Sequence, residues 1–232
     1  MNKTEKNAGW LAGISLIIMS LVAGFSYGYV HNELLSASAA ITKLDLEENK
    51  LLFLAGLAGW MVIFISDLIV AGALYVLFNS TMSRLSLLTA FIRIAYTLVL
   101  GVAVYQLFGI LSLLQGSHSS FDINSQVEAF QKIWSAGLII FGFHLIGLGY
   151  LSLKSQIVPG VLGYLLYLAG LSYVLIHSAK QFTLFAPTEI ASIEHILALP
   201  MALSEILLAI WFIYKGMKNE GTEIKNVKYR LS

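Results

Sequence analysis

Six long apolar runs, residues 8–30, 51–78, 85–114, 134–154, 157–179 and 190–215, follow one another along this chain with short polar connections between them. A helix needs about 20 mostly apolar residues to cross a hydrocarbon core of about 30 Å, and each run is long enough. The runs are too long for strands and lack the period-two alternation of an outer-membrane barrel. Together they take up most of the chain, which leaves no space for a water-soluble domain. The expectation is therefore an all-α fold: one integral membrane domain over 1–232, a polytopic bundle of six transmembrane helices, both termini cytoplasmic, with 216–232 as a cytoplasmic tail.

Composition narrows the function. Of 232 residues, 58% are hydrophobic and 12% charged, whereas a soluble domain carries about 25% charged residues. A soluble enzyme and a disordered chain are excluded, and a net charge of +1 offers no basic stripe for nucleic acid. Without cysteine there is no disulfide, thiolate nucleophile, iron–sulfur cluster or Cys-ligated zinc.

The loops punctuate the runs. Asn79 to Ser83 reads as a tight polar turn, Gly116 to Ser120 as the end of helix three, and Pro159 as a first-turn residue of helix five. Thr188 is the expected N-cap of helix six. With both ends inside, the cytoplasmic side holds Lys3, Lys6, Arg84, Lys154, Lys215, Lys218, Lys225, Lys228 and Arg230. The opposite side holds only Lys43, Lys50, Lys132 and Lys180, and this asymmetry sets the orientation. The first run exceeds a signal-peptide core, so helix one is expected to stay despite the small residues Ser36 to Ala39. Its stripe Gly9, Gly13, Ser20, Gly24 and Gly28 suits close helix packing.

Charge inside these runs is the main functional signal. Asp67, Arg93, His144 and Glu205 fall on helices two, three, four and six. Counted from the presumed cytoplasmic ends at about 1.5 Å per residue, they lie about 16, 13, 15 and 15 Å deep. Because alternate helices run in opposite directions, that agreement depends on the topology. Ser86, Thr89, Tyr96 and Thr97 share the face of Arg93, and Gly137 and Gly147 that of His144. Pro200, five residues before Glu205, frees the carbonyl of Ile196 and kinks helix six.

Intramembrane ionisable groups mark functional cavities. Asp67, Arg93, His144 and Glu205, supported by Tyr96 and Thr97, read as a site for a small polar ligand or a proton relay. Arg93 would be the fixed cation and His144 the group able to change charge near neutral pH. The competing reading is a structural ion pair that fixes helix register. A third is an intramembrane enzyme acting on a lipid head group. The chain has no HExxH, paired-His spacing, GxSxG elbow, P-loop or dinucleotide fingerprint. Ser66 and Ser204 lack a general-base partner, so the chain reads as a non-enzyme before an enzyme. No metal or cofactor is called for. His177 reads as an interfacial residue, and Glu194–His195 as part of a solvated mouth. The expected partners are the lipid bilayer, a small polar ligand, and a second copy or another membrane protein, the last engaged through the tail. The expected location is the cytoplasmic membrane.

These residues also carry a resemblance. The stretches are Ala8-Gly9-Trp10-Leu11-Ala12-Gly13, Ser66-Asp67-Leu68, Ala90-Phe91-Ile92-Arg93-Ile94 and Phe141-Gly142-Phe143-His144-Leu145-Ile146-Gly147-Leu148-Gly149-Tyr150, then Pro159-Gly160-Val161-Leu162-Gly163, Ser204-Glu205 and Trp211. With them the chain resembles a bacterial six-helix membrane family, domain-of-unknown-function family 4386. The resemblance runs over nearly the whole chain and is densest around His144. It implies a helical membrane bundle in which the Asp, Arg, His and Glu positions are family features, and it implies no reaction. The acidic first outer loop and the charged C-terminal tail depart from the family pattern.

Overall fold

Asn2 starts the first helix with a capping box. Its side chain accepts from the Glu5 N–H at 2.8 Å, and the Glu5 carboxylate accepts from the Asn2 N–H at 2.9 Å. The computed structural model describes residues 1–35, 43–115 and 120–217. Helix α1 (Lys3–Ala23) continues through a π-helical segment (Gly24–His31) into the single turn α2 (Asn32–Leu34). A short α3 (Lys43–Glu48) precedes α4 (Lys50–Gln115), followed by α5 (Ser120–Ser155), α6 (Gly160–Gln181) and α7 (Pro187–Met217). No strand occurs among the described residues.

Helix α4 is two antiparallel arms. Met82 alone leaves helical geometry, at φ −150° and ψ 86°. In a straight helix Ser86 would lie about 16 Å beyond Tyr75, yet its hydroxyl donates to the Tyr75 carbonyl at 3.0 Å. The polar turn expected at 79–83 is thus a reversal made by one residue. Among the described residues, five helices are long and apolar enough to cross a membrane: Lys3–Leu34, Lys50–Leu114, Asp122–Ser155, Gly160–Gln181 and Thr188–Met217. The second of these carries both arms of the hairpin, and so covers two of the six expected runs.

Each long helix packs on its neighbour in the chain, and α7 closes back onto α1, so the helices form a ring around a common core. Lys6, Trp10 and Gly216 meet at one end of this ring. The Trp211 indole donates to the Ile157 carbonyl at 2.9 Å, tying α7 to the α5–α6 connection at that same end. At the other end Tyr27, Trp60, Phe130 and Trp134 form an aromatic cluster with His31.

Several boundaries differ from expectation. Helix α5 begins at Ser120 rather than 134. Its added turns bury Ile123, Val127 and Phe130 at helical spacing, while Glu128 and Lys132 break the apolar run. Pro159 caps α6 from outside, with ψ 136°. Helix α7 starts at Pro187, where a missing N–H is harmless, so Thr188 lies inside the helix and is not its cap. The Glu189 carboxylate instead accepts from the Ala186 N–H at 3.1 Å. In the small-residue stripe of helix one, a Cβ at Gly13 would collide with the Ala209 carbonyl, whereas Gly24 and Gly28 have nothing within 4 Å. The expected stretches at 36–39, 116–119 and 218–232 lie outside the described residues.

Candidate functional site

Arg93 sits on the second arm of α4 with no exposed surface. An arginine carries five N–H donors in a planar fork, and here each has an acceptor. Nε and one N–H of Nη2 both point to Asp67 Oδ1, at 2.9 and 2.6 Å. Nη1 donates to Glu205 Oε1 at 2.9 Å and to His144 Nε2 at 3.1 Å. The remaining Nη2 hydrogen faces the Met19 sulfur at 3.8 Å. The Phe141 ring lies under the guanidinium, 5.4 Å from Cζ to the centroid. One side chain therefore ties α1, both arms of α4, α5 and α7 together.

The hairpin makes this geometry possible. Asp67 and Arg93 are 26 residues apart, about 39 Å along a straight helix, and the reversal at Met82 lays them side by side. Val70, Leu74 and Leu100, three or seven residues further along the same arms, are buried too.

The arrangement settles the imidazole. Arg93 can only donate, so His144 Nε2 accepts, and Nδ1 carries the proton it donates to the Thr89 carbonyl at 2.9 Å. A second proton on Nε2 would face the guanidinium N–H directly, so this contact holds the neutral ring. Gly147 admits the Thr89 side chain: a Cβ there would lie 2.8 Å from Thr89 Oγ1. Counted with both carboxylates ionised and the imidazole neutral, the network has a formal charge of −1.

That charge is unevenly served. Asp67 Oδ2 is buried and has no hydrogen-bond partner. The Glu205 side chain retains 14% of its surface, against 0% for Arg93 and 1% for Asp67. The most accessible charged member is thus on α7, five residues past Pro200.

Asp67, Arg93, His144 and Glu205 come together in one network. The two supporting residues take smaller parts. Thr97 donates its hydroxyl to the Arg93 carbonyl at 2.9 Å, and the Tyr96 ring packs on Phe141 at 4.8 Å between centroids. Met19 and Phe141 were not picked out from the sequence. Phe141 stands three residues before His144 and so on its face, a usable signal. Met19 is one apolar residue among many and carried none.

The remaining candidates resolve differently. His177 is buried at 5% exposure, shares a 2.9 Å hydrogen bond with the Ser135 hydroxyl and stacks on Tyr173, so its interfacial reading is corrected. Glu194 pairs with Lys180 at 2.7 Å while His195 stays exposed. The Ser204 hydroxyl donates to the Met201 carbonyl at 3.1 Å. Among the described residues no three His, Asp or Glu side chains converge as metal ligands. Arg93 stands between the two acids and the imidazole, bonded to all three.

Comparison with known proteins adds family and no chemistry. The family described as Domain of unknown function (DUF4386) matches residues 11–216. An uncharacterized protein of Archaeoglobus fulgidus is 30% identical over 162 residues, covering 70% of this chain and 84% of the relative. No solved structure matches the chain.

Proposed function

The chain belongs to the DUF4386 family, and from that premise we propose a multi-pass protein of the cytoplasmic membrane whose midplane network binds one proton and couples it to the seating of α7. In this reading the two arms of α4 and the four other long helices each cross the bilayer, with both termini on the cytoplasmic side. Support comes from the positive-residue asymmetry and from Lys6, Gly216 and Ile157 sharing one end of the bundle.

One observation carries the proton: Asp67 Oδ2, buried and unpartnered, in a network with one uncompensated negative charge. An unpaired buried charge is strongly unfavourable, and a single proton brings the network to formal neutrality. The solute half of the original expectation has less support, because every Arg93 N–H already has a protein acceptor and none is left for an anionic ligand. The proton belongs to the carboxylate pair and not to one named oxygen. Glu205 provides the link to α7, since its 2.9 Å bond to Arg93 holds that helix to the centre.

Infrared difference spectroscopy on the full-length protein in lipid nanodiscs tests this. Between about pH 5 and 8, a carboxylic-acid carbonyl band should grow as pH falls and disappear in Asp67→Asn, while Glu33→Gln leaves it in place. If no such band forms, the network is a structural clamp, a reading favoured by the complete satisfaction of Arg93.

A further inference from the structure

A second buried polar site lies at the opposite end of α1 from Lys3. Hydroxyls on helices usually donate to the carbonyl four residues back, and Ser20, Thr89, Thr97, Ser172 and Ser192 all do so here at 2.7–2.9 Å. Ser26 does not. It sits in the π-helical segment Gly24–His31, and its hydroxyl is buried without a partner. One wide turn later, His31 repeats the pattern. Its Nε2 accepts from the Gln131 side-chain amide at 3.2 Å, which places the ring proton on Nδ1, and that atom is also buried and unpartnered. A π-helix brings residues five apart onto one face, so the two orphaned groups stand one above the other.

Both line a small half-open pocket of about 10 Å³, room for about one water molecule, whose other walls include Phe53, Leu57, Trp60 and Leu107. No charged side chain lines it, so its occupant is neutral. It also presents only two free polar groups, so an occupant with many polar atoms would leave some of them unsatisfied. Water fits both conditions: it accepts from the Nδ1–H and exchanges a hydrogen bond with a hydroxyl that rotates to suit. We propose that the π-helical turn holds an ordered water molecule bridging Ser26 Oγ and His31 Nδ1. Ser26 packs on Gly59, eight residues from Asp67 on the same arm, so this site lies about 12 Å along the helix from the Arg93 network. Ser152, on the regular helix α5, also has a buried unpartnered hydroxyl, so what marks Ser26 is the second unpartnered group, His31 Nδ1, on the same pocket wall.

Radiolytic labelling of the full-length protein in nanodiscs tests the proposal, because X-ray cleavage of ordered water produces hydroxyl radicals that oxidise adjacent side chains. Phe53, Phe78 and Phe212 are equally buried, at 2%, 0% and 1% exposure, and only Phe53 faces the cavity. Phe53 should label several-fold more than the other two, and Ser26→Val should bring it down to their level. Equal labelling of the three overturns the proposal. Ser26→Ala gives an independent sign. Removing a dry, orphaned hydroxyl would raise Tm or leave it unchanged, which also overturns the proposal; removing one side of a water bridge should lower Tm by about 2–4 °C.

Discussion

Asp67 meets Arg93 through one oxygen: Oδ1 accepts from Nε at 2.9 Å and from Nη2 at 2.6 Å, while Oδ2 accepts from nothing. The common carboxylate–guanidinium pair uses both oxygens in parallel. Here the fork is turned so that Nη1 can reach Glu205 and His144, and the unused oxygen follows from that rotation. A pair optimised for itself has become the centre of a four-helix junction.

Removing Arg93 should therefore cost more than removing any one of its partners. Arg93→Ala leaves two buried carboxylates without a counter-charge, a loss of about 3–5 kcal/mol, or about 6–20 °C in Tm for a chain of this size. Arg93→Lys should recover part of this, because an ammonium supplies charge but cannot span acceptors on four helices. The triple variant Asp67→Asn, Arg93→Met, Glu205→Gln removes all three charges at once and should regain most of the lost stability. Thermal unfolding of the four proteins in one detergent checks the order; a triple variant no better than Arg93→Ala contradicts it.

Gly142 and Gly170 seat α5 against α6. A Cβ on either would lie 2.7 Å from the other's carbonyl oxygen, a backbone contact with no side chain to yield. Gly142→Ala should lose about 1–3 kcal/mol. Gly72 is the control, since a Cβ there meets nothing within 4 Å; Gly72→Ala should be neutral or gain up to about 1 kcal/mol from helix propensity. Equal Tm values for the two variants would exclude close packing at the α5–α6 contact.

The meeting of the four residues was legible because level in a helix is arithmetic: residue spacing times rise, counted from the ends of antiparallel segments, put Asp67, Arg93, His144 and Glu205 at one level, and the four are in contact. The hairpin was legible from the polar residues Asn79 to Ser83 between two apolar runs, though a single residue at Met82 makes the whole reversal. What could not be read depended on partners distant in sequence. His177 does lie near one end of α6, but nothing in the sequence told that it is buried there and bonded to Ser135 of α5. The first turns of α5 hid behind Glu128 and Lys132, since a helix that buries only one stripe fails a test for a continuous apolar run. The π-helical turn has no compositional signature at all: Gly24 to His31 reads like any aromatic helix end, and only the backbone geometry reveals it.

Pro200 divides α7 into unequal halves. Towards Pro187, Ile193, Ile196 and Leu199 are exposed, and the packing of that half rests on a small cluster of Ile176, Ala179 and Ile190 with Leu197 and Met201. Its ion pair, Lys180 with Glu194, is at the surface and contributes about 0–1 kcal/mol. Towards Met217, Leu208, Ala209 and Phe212 are buried, and Trp211 is anchored to Ile157. Amides of 190–199 should therefore exchange with deuterium faster than those of 205–214 in detergent. Equal protection on both sides of Pro200 would rule out the outer half as the mobile part of the bundle, and Glu194→Gln should change neither rate set by much.

The proton reading makes a prediction whose sign can be worked out in advance. If the folded network holds a proton that the unfolded chain releases, the native state binds more protons than the unfolded state, and stability falls as pH rises. One such proton gives a slope of about −1.4 kcal/mol per pH unit, or about 3–5 °C of Tm per unit, over the range in which the folded protein keeps the proton and the unfolded carboxylate has lost it. His144 should not be its source, because its Nε2 already accepts from Arg93 and its Nδ1–H is bound to Thr89. His144→Gln should thus lower Tm at every pH while leaving the slope intact. Asp67→Asn should flatten the slope: the amide oxygen can still accept both Arg93 bonds, and the excess negative charge is gone. Tm measured from about pH 5 to 8 for the three proteins decides the matter. A slope that vanishes with His144 and survives in Asp67→Asn would move the titrating group to the imidazole and overturn the assignment to the carboxylate pair.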